Sequence, residues 1–447
     1  MILPACVLFR DLDYSGNFVL DQSFHTIVIG GGCLGTAAAI SIAKRISRRG
    51  YAASDVCVID KMVVGCGLSA RHSGIVRAAN ADSTAAVLAQ QASEMWANLE
   101  THWGVGLNLE NTGALWIACD TGGGANAKWS GLQQSLREQG IDFSQLSLAE
   151  ARQICPDFVR LNDDEVFFHE PGAFQVNPSN VRETLYSAIK KNGITLLEKT
   201  EVQGFERGES GEVSKVVTSA GTFKCTYVIN ASGPWSPAIF AGMGLSIPVS
   251  VEPVHVANWL TSLNEMEAGM PIIADYVNLA YFRQWRDGEI HMHQPRKRGI
   301  RETARAFSES PLSVLGADFM NDPTNQALGY SQMRVYEELA RRRFSNMDQT
   351  VYGSGYRSFF DITPDLRFIL GPDHRVPNLI HSLGSGQAFK YAPVLGEMMA
   401  QYVDGGGPLA DLGQEFSISR FSDGYMAEFW SKVQGTENVL QAEGAGL

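Results

Sequence analysis

The sequence lacks an excess of positive charge. Its 36 Lys and Arg residues are outnumbered by 48 Asp and Glu residues, which gives a formal net charge of −12. Nucleic-acid-binding proteins neutralise phosphates with Lys and Arg, and no basic stripe in this chain offsets the negative balance. The composition therefore argues against a protein whose partner is a nucleic acid.

Long apolar runs and patterned cysteines are also missing. No run reaches the roughly 18 residues of a membrane span, and the N-terminal segment lacks the basic start and long apolar core of a signal peptide. The seven cysteines are an odd number without metal-ligand spacing, which indicates free thiols in a reducing compartment. We expect a cytoplasmic protein with no membrane span, metal site or disulfide framework. For the leader, residues 1–23, an extra strand, an interface arm and a disordered segment all stay open.

What the sequence does contain is a glycine-rich turn in HTIVIGGGCLGTAAAISIAKR. Gly30, Gly32 and Gly35 fit the pattern G-x-G-x-x-G between a predicted strand, residues 26–29, and a predicted helix, residues 36–46. Such glycines permit a tight turn, let backbone amides approach a pyrophosphate and allow the helix to pack on the strand. Alone the pattern is weak, because glycine-rich turns also occur without ligands.

A second apolar segment, VCVID, strengthens the pattern because it ends in Asp60, 25 residues beyond Gly35. An acidic side chain at this place can accept hydrogen bonds from ribose hydroxyls. Strand, glycine turn, helix, strand and acid together form a mononucleotide-binding half. The predicted ligand is an ADP-containing dinucleotide, and these residues leave NAD and FAD both open.

Three further stretches follow in order: GCGLSARHSGIVRAANAD, then VINASGPWSPAI, then DITPDLRFILGP with LGSGQAFKYAPVLGEMMAQYV. With the glycine motif they resemble the D-amino-acid-oxidase-like FAD oxidoreductases, in particular the branch of sarcosine and dimethylglycine oxidases and dehydrogenases. The resemblance covers residues 25–405 and implies FAD as the cofactor. The cofactor-binding residues that it implies are Gly30, Gly32, Gly35, Asp60, Lys61, Ser69, Arg71, His72, Val202, Ser232, Gly233, Trp235, Gly384, Gly386, Gln387, Ala388, Phe389 and Lys390.

The fold that the resemblance implies combines α/β and α+β architecture. A Rossmann-type, glutathione-reductase-like FAD-binding domain carries an inserted substrate domain built on an antiparallel sheet. The runs GALWIAC, VEPVHVANWL and NLAYFRQW are typical of strands in such a sheet. The expected division is 24–108, 169–245 and 352–412 for FAD, 109–168 and 246–351 for substrate, and 413–447 for a polar C-terminal tail.

The resemblance also implies how a substrate is held. In the sarcosine branch two cations hold the substrate carboxylate, and Arg77 of HSGIVRAAN and Lys390 of GQAFKYAP match both positions. Arg offers a forked contact and Lys a point charge, so the pair favours an amino acid or N-alkyl amino acid over a bare amine. Tyr281 is a candidate for the pocket wall or for orienting the amine, with a core aromatic as the alternative.

Two departures from the family pattern affect the electron acceptor and the cofactor linkage. Oxidase members carry a lysine beside the flavin where this sequence aligns His291, and a histidine is only partly charged near neutral pH. Oxygen and an electron-transfer protein therefore both stay open as acceptors, and His291 has a strand face without a role as its alternative. The cysteine that tethers FAD in some members is here Ser358, so we expect noncovalent FAD, with a link through His72 as the alternative.

Together these expectations describe an FAD enzyme that oxidises the C–N bond of a small secondary or tertiary amino acid. Sarcosine, dimethylglycine or a cyclic imino acid would give up a hydride to flavin N5, and water would hydrolyse the resulting imine. Two alternatives stay open: an FAD-dependent 2-hydroxy acid dehydrogenase that uses the same two cations, and a flavin-binding subunit of a hetero-oligomeric amine dehydrogenase. The sequence leaves the exact substrate and the oligomeric state undetermined.

Overall fold

The computed structural model describes residues 22–80, 82–119, 125–260, 269–278, 280–284, 289–293, 328–405 and 415–421. The helices are α1 (Cys33–Ser47), α2 (Ser83–Ala97), α3 (Leu99–Trp103), α4 (Ala125–Glu138), α5 (Leu148–Ile154), α6 (Pro178–Lys191), α7 (Ser236–Ala241), α8 (Tyr330–Arg343) and α9 (Ala388–Val403). The strands are β1 (Ser23–Ile29), β2 (Val56–Ile59), β3 (Ile75–Val76), β4 (Leu109–Glu110), β5 (Ala114–Cys119), β6 (Ser144–Leu146), β7 (Glu165–Glu170), β8 (Phe174–Val176), β9 (Thr195–Leu197), β10 (Val202–Arg207), β11 (Val213–Thr218), β12 (Gly221–Asn230), β13 (Ser250–Leu260), β14 (Ile272–Asp275), β15 (Ala280–Gln284), β16 (Glu289–His293), β17 (Val351–Ile362), β18 (Ile369–Pro372) and β19 (Leu379–Leu383). Almost all of the leader and most of the tail lie outside the described residues.

The first sheet contains the strands that carry the glycine motif. Its order is β10-β11-β12-β1-β2-β9, with β19 on β12 and β18 on β19. The central pairs β12-β1, β1-β2, β2-β9 and β12-β19 are parallel. Apolar side chains are buried on both faces of β1, as parallel strands require when helices cover a sheet. The carboxyl ends of β1, β2 and β12 consequently meet at one edge.

Helices α1 and α9 pack together over this sheet at very short range. A Cβ on Gly396 of α9 would lie 2.5 Å from the backbone carbonyl carbon of Ala37 in α1. Only glycine allows this approach, which brings the two helix axes close together. Both helices begin at the edge where the parallel strands end, so their N-termini lie on the same side of the molecule.

The second sheet has the order β17-β13-β16-β15-β14-β5-β7-β6. Its neighbours are antiparallel except for β14 and β5, which run parallel. The predicted antiparallel sheet is therefore confirmed with one exception. The exception lies where the two inserted segments meet, because no hairpin links β5 to β14 and nothing local fixes their relative direction.

Strand β17 connects the two parts of the molecule. It pairs with β13 along its whole length, from Val351 opposite Leu260 to Ile362 opposite Ser250. The predicted boundary at 352 thus falls within a strand of the second sheet, and the domain division stays a prediction. The chain leaves β17 and enters β18 and β19 of the first sheet directly.

A buried ion cluster fastens α8 to the second sheet. Arg343 Nη2 lies 2.9 Å from Glu165 Oε1, and Arg343 Nε lies 2.7 Å from Asp275 Oδ2. All three side chains are almost fully buried, so the two carboxylates compensate the desolvated guanidinium. None of the three residues lines either cavity described below, and the cluster acts as a structural anchor.

Some of the expected absences can be checked within the described residues. There, no helix has the length and apolar character needed to cross a membrane. The same part of the chain contains no group of three or more metal-ligating side chains. The six cysteines of the described residues form no disulfide with one another.

Candidate active site

A first cavity, of about 280 Å³, lies at the edge where β1, β2 and β12 end. The glycine turn forms its floor. Gly30 has φ +102°, and a Cβ there would lie 2.4 Å from the carbonyl oxygen of Ala231. A Cβ on Gly35 would lie 1.8 Å from the carbonyl oxygen of Gly30. The turn therefore needs glycine at both positions.

The start of α1 is suited to an anion. Its N-cap residue Gly32 supplies no side-chain acceptor, and the first turn contains no acidic residue. Ser69 Oγ accepts a hydrogen bond of 2.8 Å from the Cys33 amide and lines the same cavity. The positive end of the helix dipole thus faces a glycine-lined space, as in pyrophosphate sites.

Asp60 lies at the end of β2 and binds the backbone on both sides of the cavity floor. Its Oδ2 accepts from the Gly31 amide and its Oδ1 from the Met62 amide, each at 2.8 Å. Burial raises the pKa of Asp60, and these two amides oppose the shift. The carboxylate braces the glycine turn, and its contact with a ribose stays a prediction.

The remaining wall of the first cavity comes from the turn after β12 and from β10. Ser232, Gly233 and Trp235 line it together with Val202. Lys61 Nζ lies 4.5 Å from the centre of the Trp235 ring. Residues from four separate motifs of the sequence therefore line one cavity, and their contacts with a cofactor stay a prediction.

A second cavity, of about 110 Å³, adjoins the first. Cys33, Leu68, Ser69, Asp361 and Ala388 line both. The predicted site residues that line the second cavity are Ser69, Arg71, His72, Arg77, Tyr281, Gly386, Gln387, Ala388, Phe389 and Lys390. The two cations predicted to hold a carboxylate thus face one space next to the nucleotide-sized cavity.

Arg77 is held from several sides. It is 3% exposed, donates from Nη1 to the Ala79 carbonyl, and donates from Nη2 to Tyr281 Oη at 3.3 Å. Its guanidinium carbon lies 4.6 Å from the centre of the Trp116 ring. Burial lowers the pKa of Arg77, but Tyr281, Tyr276 and Glu170 around it outweigh burial, and the net shift is upward. Arg77 is a fixed cation.

Glu170, which the sequence analysis missed, is the buried acid beside Arg77. Its Oε1 accepts from the amides of Ala78 and Ala79 at 2.5 and 3.0 Å, and its Oε2 accepts from Trp116 Nε1 at 3.2 Å. Burial raises its pKa, and Arg77 opposes that shift. In sequence it precedes Pro-Gly at a strand end, which resembles an ordinary turn and gives no signal of this role.

Lys390 occupies the first turn of α9 and is 7% exposed. Burial and the nearby Arg77 hold the pKa of Lys390 well below its ordinary value, and Glu170 opposes them. Trp96 Nε1 lies 3.2 Å from the carbonyl oxygens of both Phe389 and Lys390, to which it donates. The indole of α2 therefore fixes the backbone that carries this lysine.

His72 and Phe389 form a ring stack at the cavity wall. Their ring centres are 3.9 Å apart, and Phe389 is also stacked on Trp96 at 4.7 Å. His72 Nδ1 accepts from the Gly74 amide at 2.9 Å, so a neutral ring carries its proton on Nε2. Burial and the charge of Arg283 lower the pKa of His72 to about 3. His72 is a neutral side chain at physiological pH.

The loop before α9 is braced by Asp361, a second residue that the sequence analysis missed. Asp361 Oδ2 accepts from the Gly384 amide at 3.2 Å and Oδ1 from the Gly386 amide at 3.1 Å. Gly386 has φ +78°, a conformation that favours glycine. Gly384 does not line either cavity directly, so its predicted contact with the cofactor stays a prediction.

The structure describes the side chain of Tyr281 but only the backbone of His291. Tyr281 lies on β15, where its hydroxyl accepts from Arg77 and lies 3.2 Å from the hydroxyl of Tyr276. The backbone of His291 lies on β16, paired with Asn258 of β13 and Arg283 of β15. Its side chain lies outside the described residues, so its role next to a flavin stays a prediction.

The fold and the two adjoining cavities define a dinucleotide-binding protein with a second domain built on a mixed sheet. The model of one family, described as FAD dependent oxidoreductase, matches residues 25–402. The chain therefore belongs to this family, and its cofactor is FAD. Three features of the first cavity fit that cofactor: the glycine turn, the N-terminus of α1 without an acidic side chain, and Asp60 after β2.

Individual relatives are distant. The chain is 22% identical over 405 residues to 4-methylaminobutanoate oxidase (formaldehyde-forming) of Paenarthrobacter nicotinovorans, which covers 90% of this chain and 46% of that protein. It is 20% identical over 418 residues to human mitochondrial dimethylglycine dehydrogenase, covering 92% and 45%. The chain thus spans about half the length of these two curated relatives. The crystal structure of L-proline dehydrogenase from P. horikoshii matches with a TM-score of 0.76 at 21% identity, covering 91% of this chain and 99% of that one.

Proposed function

We propose that the protein oxidises the C–N bond of a small secondary or tertiary amino acid. The observation that carries the proposal is the placement of two buried basic side chains, Arg77 and Lys390, in the second cavity, which adjoins the first. A carboxylate is the ligand that such a pair would bind most strongly in a buried space. The names of two relatives, 4-methylaminobutanoate oxidase and dimethylglycine dehydrogenase, point to methylated amino acids and support the same substrate class.

In the reaction, bound FAD supplies an acceptor for a hydride from the carbon next to nitrogen. Arg77 and Lys390 hold the carboxylate and thereby fix which carbon reacts. Tyr281, whose hydroxyl already accepts from Arg77, contributes the adjoining wall. The substrate carbon loses a hydride, and the lone pair on the neighbouring nitrogen forms the C=N bond. A secondary amine also loses its N–H proton to water and gives an imine, whereas a tertiary amine gives an iminium ion. Water then hydrolyses either product to an amine and a carbonyl compound.

The test is anaerobic reduction of bound FAD, followed by the loss of absorbance near 450 nm. The panel pairs sarcosine with dimethylamine, dimethylglycine with trimethylamine, and proline with pyrrolidine; each amine lacks only the carboxyl group of its partner. We expect reduction by at least one of the acids and none by its decarboxylated partner at equal concentration. Full FAD occupancy without reduction by any N-alkyl amino acid contradicts the proposal.

A 2-hydroxy acid is the second candidate substrate, since two cations bind its carboxylate equally well. L-2-hydroxyglutarate and lactate therefore belong in the same panel. If a hydroxy acid reduces the bound FAD and no amino acid does, the hydroxy acid replaces the amine in the proposal. Aerobic turnover of the same protein identifies the electron acceptor. Oxygen consumption that matches substrate loss supports an oxidase. Turnover only with an added dye supports an electron-transfer partner or a subunit of a larger complex.

We also propose that FAD is bound noncovalently. Ser358 lines the second cavity where some relatives carry the tethering cysteine, and a hydroxyl does not form that thioether. The His72 ring is stacked on Phe389, with Nε2 buried. Acid precipitation is expected to leave the yellow colour in the supernatant, whereas a yellow pellet would establish a covalent link, and His72→Asn would then show whether the link is to His72.

A further inference from the structure

A buried polar chain leads inward from the wall of the first cavity. It begins at Ser232 and Ser236, after β12, and runs through Asn230 and His381 to Asp373, whose carboxylate pairs with the partly exposed Arg375. The five residues of the chain itself are each at most 7% exposed. Side chains this polar are costly to bury unless each has partners, so their arrangement requires an explanation.

Asn230, the last residue of β12, is the branch point. Its Oδ1 accepts from the Ser232 hydroxyl at 2.6 Å, the Ser232 amide at 3.2 Å and the Ser236 hydroxyl at 3.0 Å. Its Nδ2 lies 3.1 Å from Nδ1 of His381, which is its neighbour on β19. The amide oxygen therefore gathers three donors from one turn, and this fixes which way the amide group points.

His381 and Asp373 fix the other end of the chain. His381 Nε2 lies 2.9 Å from Asp373 Oδ2, and Arg375 binds the same carboxylate through Nη2 at 2.6 Å and Nε at 2.8 Å. Burial raises the pKa of Asp373, but Arg375 and His381 outweigh it and the net shift is downward. An ionised Asp373 accepts the Nε2 proton, which leaves His381 Nδ1 as an acceptor for Asn230.

We infer that Asn230, His381 and Asp373 are positioning residues for FAD. Every donor and acceptor along the chain is determined by the one before it, from the carboxylate to the turn of residues 231–235. Ser232, Gly233 and Trp235 of that turn line the first cavity, whereas Asn230, His381 and Asp373 do not. The chain thus sets the place of a cofactor-contacting backbone from behind.

The test is the dissociation constant of FAD for the apoprotein, measured by quenching of flavin fluorescence. His381→Phe removes both ring nitrogens and is expected to weaken FAD binding about tenfold, the equivalent of one well-placed hydrogen bond. His381→Asn places an acceptor near Nδ1 and should stay within about threefold of wild type, while His381→Gln reaches toward Asp373 instead and should resemble the Phe variant. If Asn restores FAD affinity and Gln does not, His381 acts by positioning the turn; a purely structural role would not distinguish the two variants.

Asn378→Ala is the matched control. Asn378 lies just before β19, and its amide bonds the backbone of Val213 and Thr226, each at 2.8 Å, with no contact to the turn. It should lower stability while leaving FAD affinity within about twofold. Equal loss of affinity in Asn378→Ala and His381→Phe, or equal affinity in His381→Asn and His381→Gln, would overturn the inference.

Ser236→Ala keeps the experiment decisive if His381→Phe does not fold. Ser236 does not line the cavity, and its hydroxyl, the group that the substitution removes, bonds Ser232 and Asn230. Loss of its hydroxyl is expected to weaken FAD binding about threefold, since Asn230 keeps its other partners. Wild-type affinity in this variant would contradict a role for the chain in placing the turn.

Discussion

Arg77 and Lys390 face the same cavity, but their pKa values are shifted in opposite directions. The surroundings of Arg77 raise its pKa, whereas burial and Arg77 itself lower the pKa of Lys390. Lys390 is therefore the cation whose protonation depends on what else is bound. A carboxylate placed between the two would favour the protonated lysine, because opposite charge nearby stabilises the charged form.

The first prediction is a falling limb in the pH profile of kcat/KM. As pH rises through the lowered pKa of Lys390, one of two cations is lost, and we expect kcat/KM to drop by about tenfold, the value of a charge-assisted hydrogen bond. Steady-state rates from pH 6 to 10 measure it. Lys390→Met should have raised KM at all pH values and no such limb; a limb that persists in this variant contradicts the assignment.

Glu170→Gln supplies a control that keeps the shape of the buried acid. It removes the negative charge that opposes the lowering of the Lys390 pKa. The falling limb should therefore move to lower pH, while the limb set by the substrate amine stays in place. An unchanged profile would show that Glu170 does not affect Lys390.

At the level of elements, the β1-turn-α1 unit was the most predictable part. The predicted strand at 26–29 is confirmed within Ser23–Ile29, and the predicted helix at 36–46 within Cys33–Ser47. The helix starts three residues earlier than predicted because Gly35 belongs to it. Glycine usually weakens a helix, but here its missing side chain lets the helix approach the Gly30 carbonyl.

The second prediction concerns that contact. Gly35→Ala would place a Cβ 1.8 Å from the Gly30 carbonyl oxygen, so the turn or the helix must shift. We expect folded protein that binds FAD at least a hundredfold more weakly, measured by fluorescence titration. Gly131→Ala in α4 meets no atom within 4 Å and should be neutral or stabilising by about 1 kcal/mol. Wild-type FAD affinity in Gly35→Ala would refute the close-approach argument.

The contacts around the site could not be predicted from the sequence to the same extent. Arg77 and Lys390 were identified because they lie in motifs with a recognisable local pattern. Glu170 lies in no such motif. Asp361 is the first residue of DITPDLRFILGP, but nothing in that motif indicates its bonds to the Gly384 and Gly386 amides. Both roles arise only when distant segments meet beside the site. The same is true of His381, which becomes a partner of Asn230 because β12 and β19 are neighbours. The contacts of these residues depend on which distant strands become neighbours in the fold, and the local sequence does not encode that.

For the whole molecule, buried neutral histidines make stability depend on pH. The pKa of His72 is lowered to about 3 from an ordinary value of 6.5, and that of His381 is also lowered. Below pH 6.5 the unfolded chain binds protons that the folded chain does not. The folded state therefore loses free energy relative to the unfolded state as pH falls through this window.

The third prediction follows for His72. When the pH falls from 7 to 5, the buried, neutral His72 should lower the unfolding free energy of the FAD-free protein by about 2 kcal/mol. Urea denaturation at the two pH values measures this change. The raised pKa values of Asp60 and Glu170 act in the opposite direction, so the comparison is with His72→Asn, which keeps an acceptor for the Gly74 amide. Equal pH dependence in both proteins would contradict a neutral, buried His72.

Strand β17 has a consequence for exchanging parts between homologous proteins. It begins as an edge strand of the second sheet, and one residue before its end it supplies Asp361, which binds the loop that leads into α9. A chimera joined at residue 352 would take all but the first residue of β17 from one parent and its partner strand β13 from the other. Recombination that transfers the second sheet intact must place its C-terminal junction beyond Ile362, and it then also transfers Asp361, which binds the loop before α9.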